Sequence, residues 1–343
     1  MPIRVLVVDD SSIVRQTLER ELSKDSQLLV VGTAPDPYIA RDKIVQLQPD
    51  VITLDIEMPR MDGLTFLKKL MKHYPVPVII VSSLAQSGSP AAVEALRSGA
   101  IEVVAKPGSS FSVGEMASEL CDKIKSASRV DLKKMHLPVG VLDPSKDYSL
   151  THFQDKVIVI GASTGGTQAL EVVLKSFPSN APATVVAQHM PAVFTRSLAE
   201  RLDRLCKVEV KEAEDGDAVQ AGRVLIAPGN FHTLIRVVGS RRFVEVKDGP
   251  PVNRHKPSVE VLFNSAAMNV KENAVGVMLT GMGADGAQGM VRLKSAGAVN
   301  IAQDEASSLV FGMPKAAIET NAVEHIMPLD KIAAKVFELT KVV

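Results

Sequence analysis

Short apolar runs alternate with segments of helical spacing along most of the chain. In the first third, Val5–Val8, Val51–Leu54, Val78–Val81 and Val103–Ala105 are β-branched-rich runs that predict buried strands. Ser12–Leu22, Leu64–Lys72, Ala91–Leu96 and Val113–Lys125 repeat their apolar positions every three or four residues and predict helices. The same rhythm resumes at Lys156. Strands are predicted at Lys156–Ile160, Thr184–Ala187, Val224–Ala227 and Ala274–Leu279, with helices over Thr167–Phe177 and from near Ala287. Alternation of this kind implies parallel, doubly wound α/β sheets. Between the two series, Ser126 to Phe153 keeps no period and mixes Pro138, Gly140 and Pro144 with charges such as Lys133 and Lys134. The expected organisation is a domain over residues 1–125, a linker over 126–153 and a second domain over 154–343.

Composition narrows the classes. The 343 residues carry 39 basic and 39 acidic side chains, so the chain has no general attraction for nucleic acid or an anionic membrane. Tryptophan is absent, which argues against base-stacking platforms. Two distant cysteines, Cys121 and Cys206, imply no disulfide framework and fit a reducing cytoplasm. The acidic Asp9-Asp10 pair interrupts the first apolar run too early for a secretory signal. No run approaches the ~18 residues of a membrane span, so membrane insertion is not expected.

In a doubly wound sheet, ligand chemistry gathers at the carboxyl ends of the strands. In the first domain those ends carry Asp9-Asp10, Asp55, Ser82-Ser83 and Lys106-Pro107. Three carboxylates at one edge repel each other unless a cation joins them, and a hard oxygen-ligated ion such as Mg2+ is expected there. A hydroxyl and an ammonium on the far side could bind phosphoryl oxygens, which suits a carboxylate that accepts a phosphoryl group. Taken singly, Asp10 could instead cap the helix starting near Ser12, and Lys106 could merely top a strand. Val8-Asp9-Asp10-Ser11, the Leu54–Gly63 segment with Asp55, Glu57 and Asp62, and Ala105-Lys106-Pro107 resemble the receiver domains of bacterial two-component response regulators. The resemblance implies a flavodoxin-like (βα)5 fold with Asp55 as phosphoacceptor. It also implies Mg2+ held by Asp9, Asp10, Asp55 and the Glu57 carbonyl, with Ser82 and Lys106 contacting the phosphoryl group. Val103 departs from the pattern, standing where many receivers carry an aromatic switch residue.

In the second domain, Gly161-Ala162-Ser163-Thr164-Gly165 joins a strand to a helix, the context of a nucleophile elbow. The same turn could equally be a glycine-rich phosphate cradle. His189 and Asp285 each follow another apolar strand, so a parallel sheet would bring Ser163, His189 and Asp285 to one edge as nucleophile, base and orienter. Alternatives stay open: His189 as a structural histidine, Asp285 as cap of the helix from Ala287, and Asp304 as orienter. His232 and His255 are possible site-lining residues, without zinc-site spacing. The Ser163 turn lacks the Lys-Ser/Thr ending of a P-loop and fails G-x-G-x-x-G. A DNA-binding output module would be shorter and more basic.

Ile160–Gly166, Gln188-His189-Met190-Pro191, Asn253–Val259, Leu279–Gly286 and Phe311-Gly312-Met313-Pro314 look like the CheB-type chemotaxis methylesterases. That resemblance implies a Rossmann-like doubly wound parallel sheet. It implies hydrolysis of glutamyl γ-methyl esters on chemoreceptors and deamidation of receptor glutamines, by Ser163, His189 and Asp285. Thr164 and the Met282 N–H would shape the oxyanion site, with no cofactor in hydrolysis. Partners implied are the methyl-accepting chemoreceptors as substrate and a chemotaxis histidine kinase as phosphodonor.

Overall fold

The apolar runs form the strands of two separate parallel sheets. In the computed structural model, residues 1–83, 90–106, 113–132, 153 and 155–342 are described. The chain divides into two units, Met1–His136 and Leu137–Val343.

The first unit contains β1 (Ile3–Val8), α1 (Ser12–Leu22), β2 (Leu28–Ala34), α2 (Pro37–Leu47), β3 (Val51–Leu54), α3 (Gly63–His73), β4 (Val78–Ser82), α4 (Pro90–Arg97), β5 (Glu102–Ala105) and α5 (Val113–Ala127). Its five strands run parallel in the order β2-β1-β3-β4-β5. The central strands are buried throughout, which is why they are continuous apolar runs rather than alternating ones. Chain direction across the sheet reverses between β1 and β3, the point where such folds place their ligands. Helix starts are capped by Ser11, Asp36 and Asp62, whose side-chain oxygens accept first-turn N–H groups. Asp10 is thus not the cap of α1. The edge strand β2 is only partly buried and is broken by Gly32, so its apolar signal is weak.

The linker differs from expectation at its start. α5 continues to Ala127, and Ser126 and Ala127 are both buried. At the other end, Phe153 pairs with Lys341 and its ring lies 5.5 Å from that of Phe337, so it belongs to the second unit. Pro107, Lys133, Lys134, Pro138, Gly140 and Pro144 lie outside the described residues.

The second unit contains β6 (Val157–Ala162), α6 (Gly166–Lys175), β7 (Ala183–Gln188), α7 (Ala192–Leu205), β8 (Glu209–Glu212), β9 (Arg223–Ile226), β10 (His232–Val238), β11 (Arg241–Lys247), α8 (Val259–Asn269), β12 (Ala274–Met278), α9 (Ala287–Ser295), β13 (Val299–Gln303), α10 (Met313–Glu319), β14 (His325–Met327) and α11 (Leu329–Thr340). Seven parallel strands run in the order β14-β13-β12-β6-β7-β9-β8, and β10 and β11 form an antiparallel hairpin. Alternate residues of β6 feed two cores. Val157 and Val159 pack with Leu262 and Phe263 of α8, Met290 of α9 and Met313 of α10. Ile158 and Ile160 pack with Leu170 of α6, Leu202 of α7 and Phe337 of α11. The winding reverses between β6 and β12, so residues beyond these strands meet at the switch point. Among the described residues no helix is long and apolar enough to cross a membrane.

One packing detail prepares the site. A Cβ added at Gly161 or at Gly286 would overlap Val259, the first residue of α8, and Gly286 also has φ +87°. Two glycines therefore let the N-terminus of α8 approach the edge of the sheet. Gly161→Ala is expected to destabilise the second unit by ~1–3 kcal/mol through overpacking. Combining it with Val259→Ala should cost less than the sum of the two single changes, as read from urea unfolding curves. Strict additivity would mean that the two positions do not compete for one space.

Candidate active site

The last register pair of β6 and β7 is Ala162–Gln188. Ser163 and His189 are the next residues on each strand and so sit side by side. The His189 N–H donates to the Ala162 carbonyl at 3.0 Å, extending the ladder by one step. On its other flank Ser163 donates its N–H to the Thr280 carbonyl at 3.0 Å, just beyond β12. The Ser163 carbonyl accepts from Gly166 N–H at 2.7 Å and from Gln188 Nε2 at 3.0 Å. Ser163 is thereby held on a tight turn whose next step, Gly165 with φ +78°, starts α6.

His189 and Asp285 form the charged centre. His189 Nε2 donates to Asp285 Oδ2 at 2.8 Å, and both side chains are buried. The other ring nitrogen, Nδ1, is buried with no hydrogen-bond partner among the described residues. Asp285 accepts four further bonds: from Asn253 Nδ2, Ser258 Oγ, and the backbone N–H groups of Val259 and Glu260. The last two are the first N–H groups of α8, so Asp285 also sits at the positive end of that helix. Burial alone would raise the Asp285 pKa, but the hydrogen bonds and charge of His189, with Asn253 and Ser258, hold it at about 2.

Asp285 therefore does cap a helix, but it is α8, reached across the fold, rather than the one beginning at Ala287. The competing aspartate, Asp304, is turned away: its Oδ1 accepts from Ser307 N–H and Oγ, at 2.9 and 2.6 Å. His232 is structural. Its Nδ1 accepts from Ser258 N–H at 3.3 Å and its Nε2 donates to the Pro250 carbonyl at 3.0 Å. His255 stacks face to face on His189, ring centroids 3.6 Å apart. Thr164 is buried, and its carbonyl accepts from Thr280 Oγ1 at 2.9 Å. Met282 lies on a loop fixed by its neighbour Gly281, whose carbonyl accepts from Gly312 and Met313 N–H groups.

The first unit carries a separate acidic pocket at its own switch point. Oxygens of Asp9, Asp10 and Asp55 lie within 4.8 Å of one another, close enough to share a cation. Lys106 is not on the far side of this pocket, as the sequence suggested. Its Nζ bridges Asp55 Oδ2 at 2.6 Å and Asp9 Oδ2 at 2.7 Å. Asp9 Oδ2 is buried against this ammonium. Burial, with repulsion from Asp9, pushes the Asp55 pKa up in spite of Lys106. Three carboxylates gathered around this ammonium keep a net negative charge that a hard cation would neutralise. Glu57 donates its N–H to Asp55 Oδ1 at 3.3 Å. Arg15 fixes the Asp9 and Asp10 carbonyls at 2.8 and 2.9 Å. Ser82 closes β4 and is fully buried, and Val103 is buried in β5.

Residues 158–336 fit the family model described as CheB methylesterase, and residues 5–116 fit the response regulator receiver domain. The chain belongs to the CheB methylesterase family. It is 54% identical over 342 residues, 98% of this chain and 99% of that protein, to a protein-glutamate methylesterase/protein-glutamine glutaminase 2 of Syntrophus aciditrophicus. It is 51% identical over 347 residues, 99% of each chain, to a protein of that activity name from Sulfurimonas denitrificans. The crystal structure of the Thermotoga maritima CheB methylesterase catalytic domain aligns with a TM-score of 0.53 at 41% identity, covering 54% of this chain and 99% of that one. Within this family member, the sequence reading passed over Asn253 and Ser258 as partners of Asp285. Both lie in the Asn253–Val259 segment that carries the family resemblance, and nothing in its pattern points to Asp285.

The depressed pKa makes a testable contribution. The folded value of about 2 lies below the ordinary 3.8, so the stability gained is fully present above about pH 4 and is lost as pH falls through 2. It amounts to roughly 2 kcal/mol. Wild type should lose that much more stability than Asp285→Asn between about pH 5 and pH 2 in urea titrations. Parallel acid profiles of the two proteins would show that Asp285 is not held ionised by its partners.

Proposed function

We propose that this chain is a protein-glutamate methylesterase and protein-glutamine glutaminase whose esterase unit is activated by phosphorylation of its receiver. The observation that carries the reading is the His189–Asp285 pair, with an unpartnered Nδ1, one strand away from Ser163. Ser163 Oγ attacks the γ-ester carbonyl and gives its proton to His189 Nδ1. The resulting imidazolium, paired through Nε2 with Asp285, returns the proton to the departing methanol. Water, deprotonated at the same nitrogen, then releases the glutamate side chain. With a glutamine substrate the first leaving group is ammonia, and the rest is unchanged. Thr164 and the Met282 N–H shape the oxyanion site, where loss of one donor typically costs ~10²–10³ in rate.

In the receiver, Asp55 is the phosphoacceptor, Ser82 and Lys106 contact the phosphoryl group, and Asp9, Asp10, Asp55 and Glu57 hold Mg2+. When bound, that ion neutralises the charge gathered during phosphoryl transfer. Residues 1–127 serve as receiver and 153–343 as catalytic domain, joined by the linker between them. The substrates are methyl-accepting chemoreceptors, the phosphodonor is a chemotaxis histidine kinase, and the setting is chemotaxis adaptation in the cytoplasm.

Ser163→Ala should keep its melting profile and lose methanol release from methylated receptor membranes by roughly 10⁴-fold or more. His189→Ala should be nearly as damaging, Asp285→Asn milder, and the Ser163/His189 double variant scarcely worse than either single one. Turnover by folded Ser163→Ala at the wild-type rate would remove the assignment. With Mg2+ and a small phosphodonor, wild-type activity should rise while Asp55→Asn stays at its basal rate. An equal rise in both proteins would exclude Asp55 as the switch.

A further inference from the structure

We infer that His255 is a positioning residue for the hydrolytic reaction: stacked on His189, it holds the imidazole in the plane that keeps Nε2 on Asp285 and leaves Nδ1 open. The inference rests on Ser163, His189 and Asp285 acting together as proposed above. The two rings are 3.6 Å apart between centroids and 11° from parallel, in full face contact. A hydrogen bond at Nε2 sets one distance but does not fix the tilt of the ring about its long axis. The terminal torsion of histidine is broad and roughly two-fold, so tilt or a flip would carry Nδ1 away from its working position. A flat neighbour at van der Waals distance blocks that motion without occupying either nitrogen.

The platform is itself pinned. Val252 and His255 exchange backbone hydrogen bonds of 2.9 and 3.1 Å, closing a tight turn. Its two central residues, Asn253 at φ +51° and Arg254 at φ +69°, are both left-handed and neither is glycine. Backbone held in that region persists only where its surroundings enforce it, and such residues gather at functional sites. Here the enforcement is visible. Asn253 Nδ2 donates to Asp285 Oδ1 at 2.8 Å, so one turn grips both members of the pair, the carboxylate by Asn253 and the imidazole by His255. The same face stays packed on His189 when that ring becomes cationic in the transition state. The role therefore needs a flat ring, not a second titrating nitrogen.

Steady-state methanol release by the full-length, phosphorylated protein on methylated receptor membranes tests this in His255→Ala and His255→Phe, with Ser163→Ala and His189→Ala alongside. His255→Ala should lower kcat roughly 10–100-fold, the scale of a small misplacement of a reacting group, with KM within about twofold of wild type. His255→Phe should recover most of the lost kcat. If His255→Ala does not fold, His255→Leu, which fills the space without a flat ring, takes its place. Unchanged kcat in the ringless variant overturns the inference. His255→Phe as inactive as His189→Ala also overturns it, because the nitrogens of His255 would then be doing chemistry. Turnover by Ser163→Ala or His189→Ala at the wild-type rate would instead sink the triad reading on which the inference rests.

Discussion

A carboxylate buried away from water is tolerable only when its charge is matched, and Asp285 is the buried charge around which the second unit is arranged. It accepts five hydrogen bonds, from His189, Asn253, Ser258 and the backbone at Val259 and Glu260. Those donors come from the end of β7, a loop turn and the start of α8. Removing one partner of such a buried pair typically costs ~3–5 kcal/mol, because the remaining charge is left uncompensated. The carboxylate thus ties together three pieces of chain that share no local sequence. Its ionised state, held down to about pH 2, is what allows it to stabilise a cation forming on His189.

The parallel sheet makes this convergence possible. Strand pairing carries Ser163 and His189 one step past Ala162 and Gln188, while the reversal between β6 and β12 opens the edge where Asp285 enters. Gly161 and Gly286 cede the space that Val259 fills, which brings the N-terminus of α8 onto the carboxylate. The first unit repeats the principle with other chemistry. Its reversal between β1 and β3 gathers Asp9 and Asp55, and Lys106 arrives from β5 to bridge them.

Strands β1, β3, β4 and β5 of the first sheet and β6, β7, β9 and β12 of the second were legible in the chain because buried parallel strands are mostly apolar runs, whereas the buried β13 hides its signal behind Asn300 and Gln303. The residues at their ends could be read with them, so Ser163, His189, Asp285, Asp9, Asp55 and Lys106 all stood out. Elements with mixed burial did not. The edge strand β2, with Gly32 inside it, and the half-exposed β10–β11 hairpin lack a clean period. Asn253, Ser258 and the helix-end N–H groups were out of reach for another reason. They act on Asp285 from 25 to 32 residues away, through a turn whose left-handed residues carry no glycine signature. Nor does spacing say which nitrogen of His189 faces the carboxylate.

That last point carries the account, since the nitrogen bonded to Asp285 decides which one is left to take the serine proton. With Nε2 donating to Asp285, the neutral ring must carry its proton on Nε2 and keep an open lone pair on Nδ1. Nitrogen-15 NMR of the ring-labelled protein reads this tautomer directly, with His189→Gln used to assign the signal. The expected spectrum shows a protonated Nε2 and an unprotonated Nδ1 for neutral His189, with that preference weakened in Asp285→Asn. A neutral His189 protonated on Nδ1 would contradict the account, because the nitrogen that Asp285 leaves open could not then act as a base.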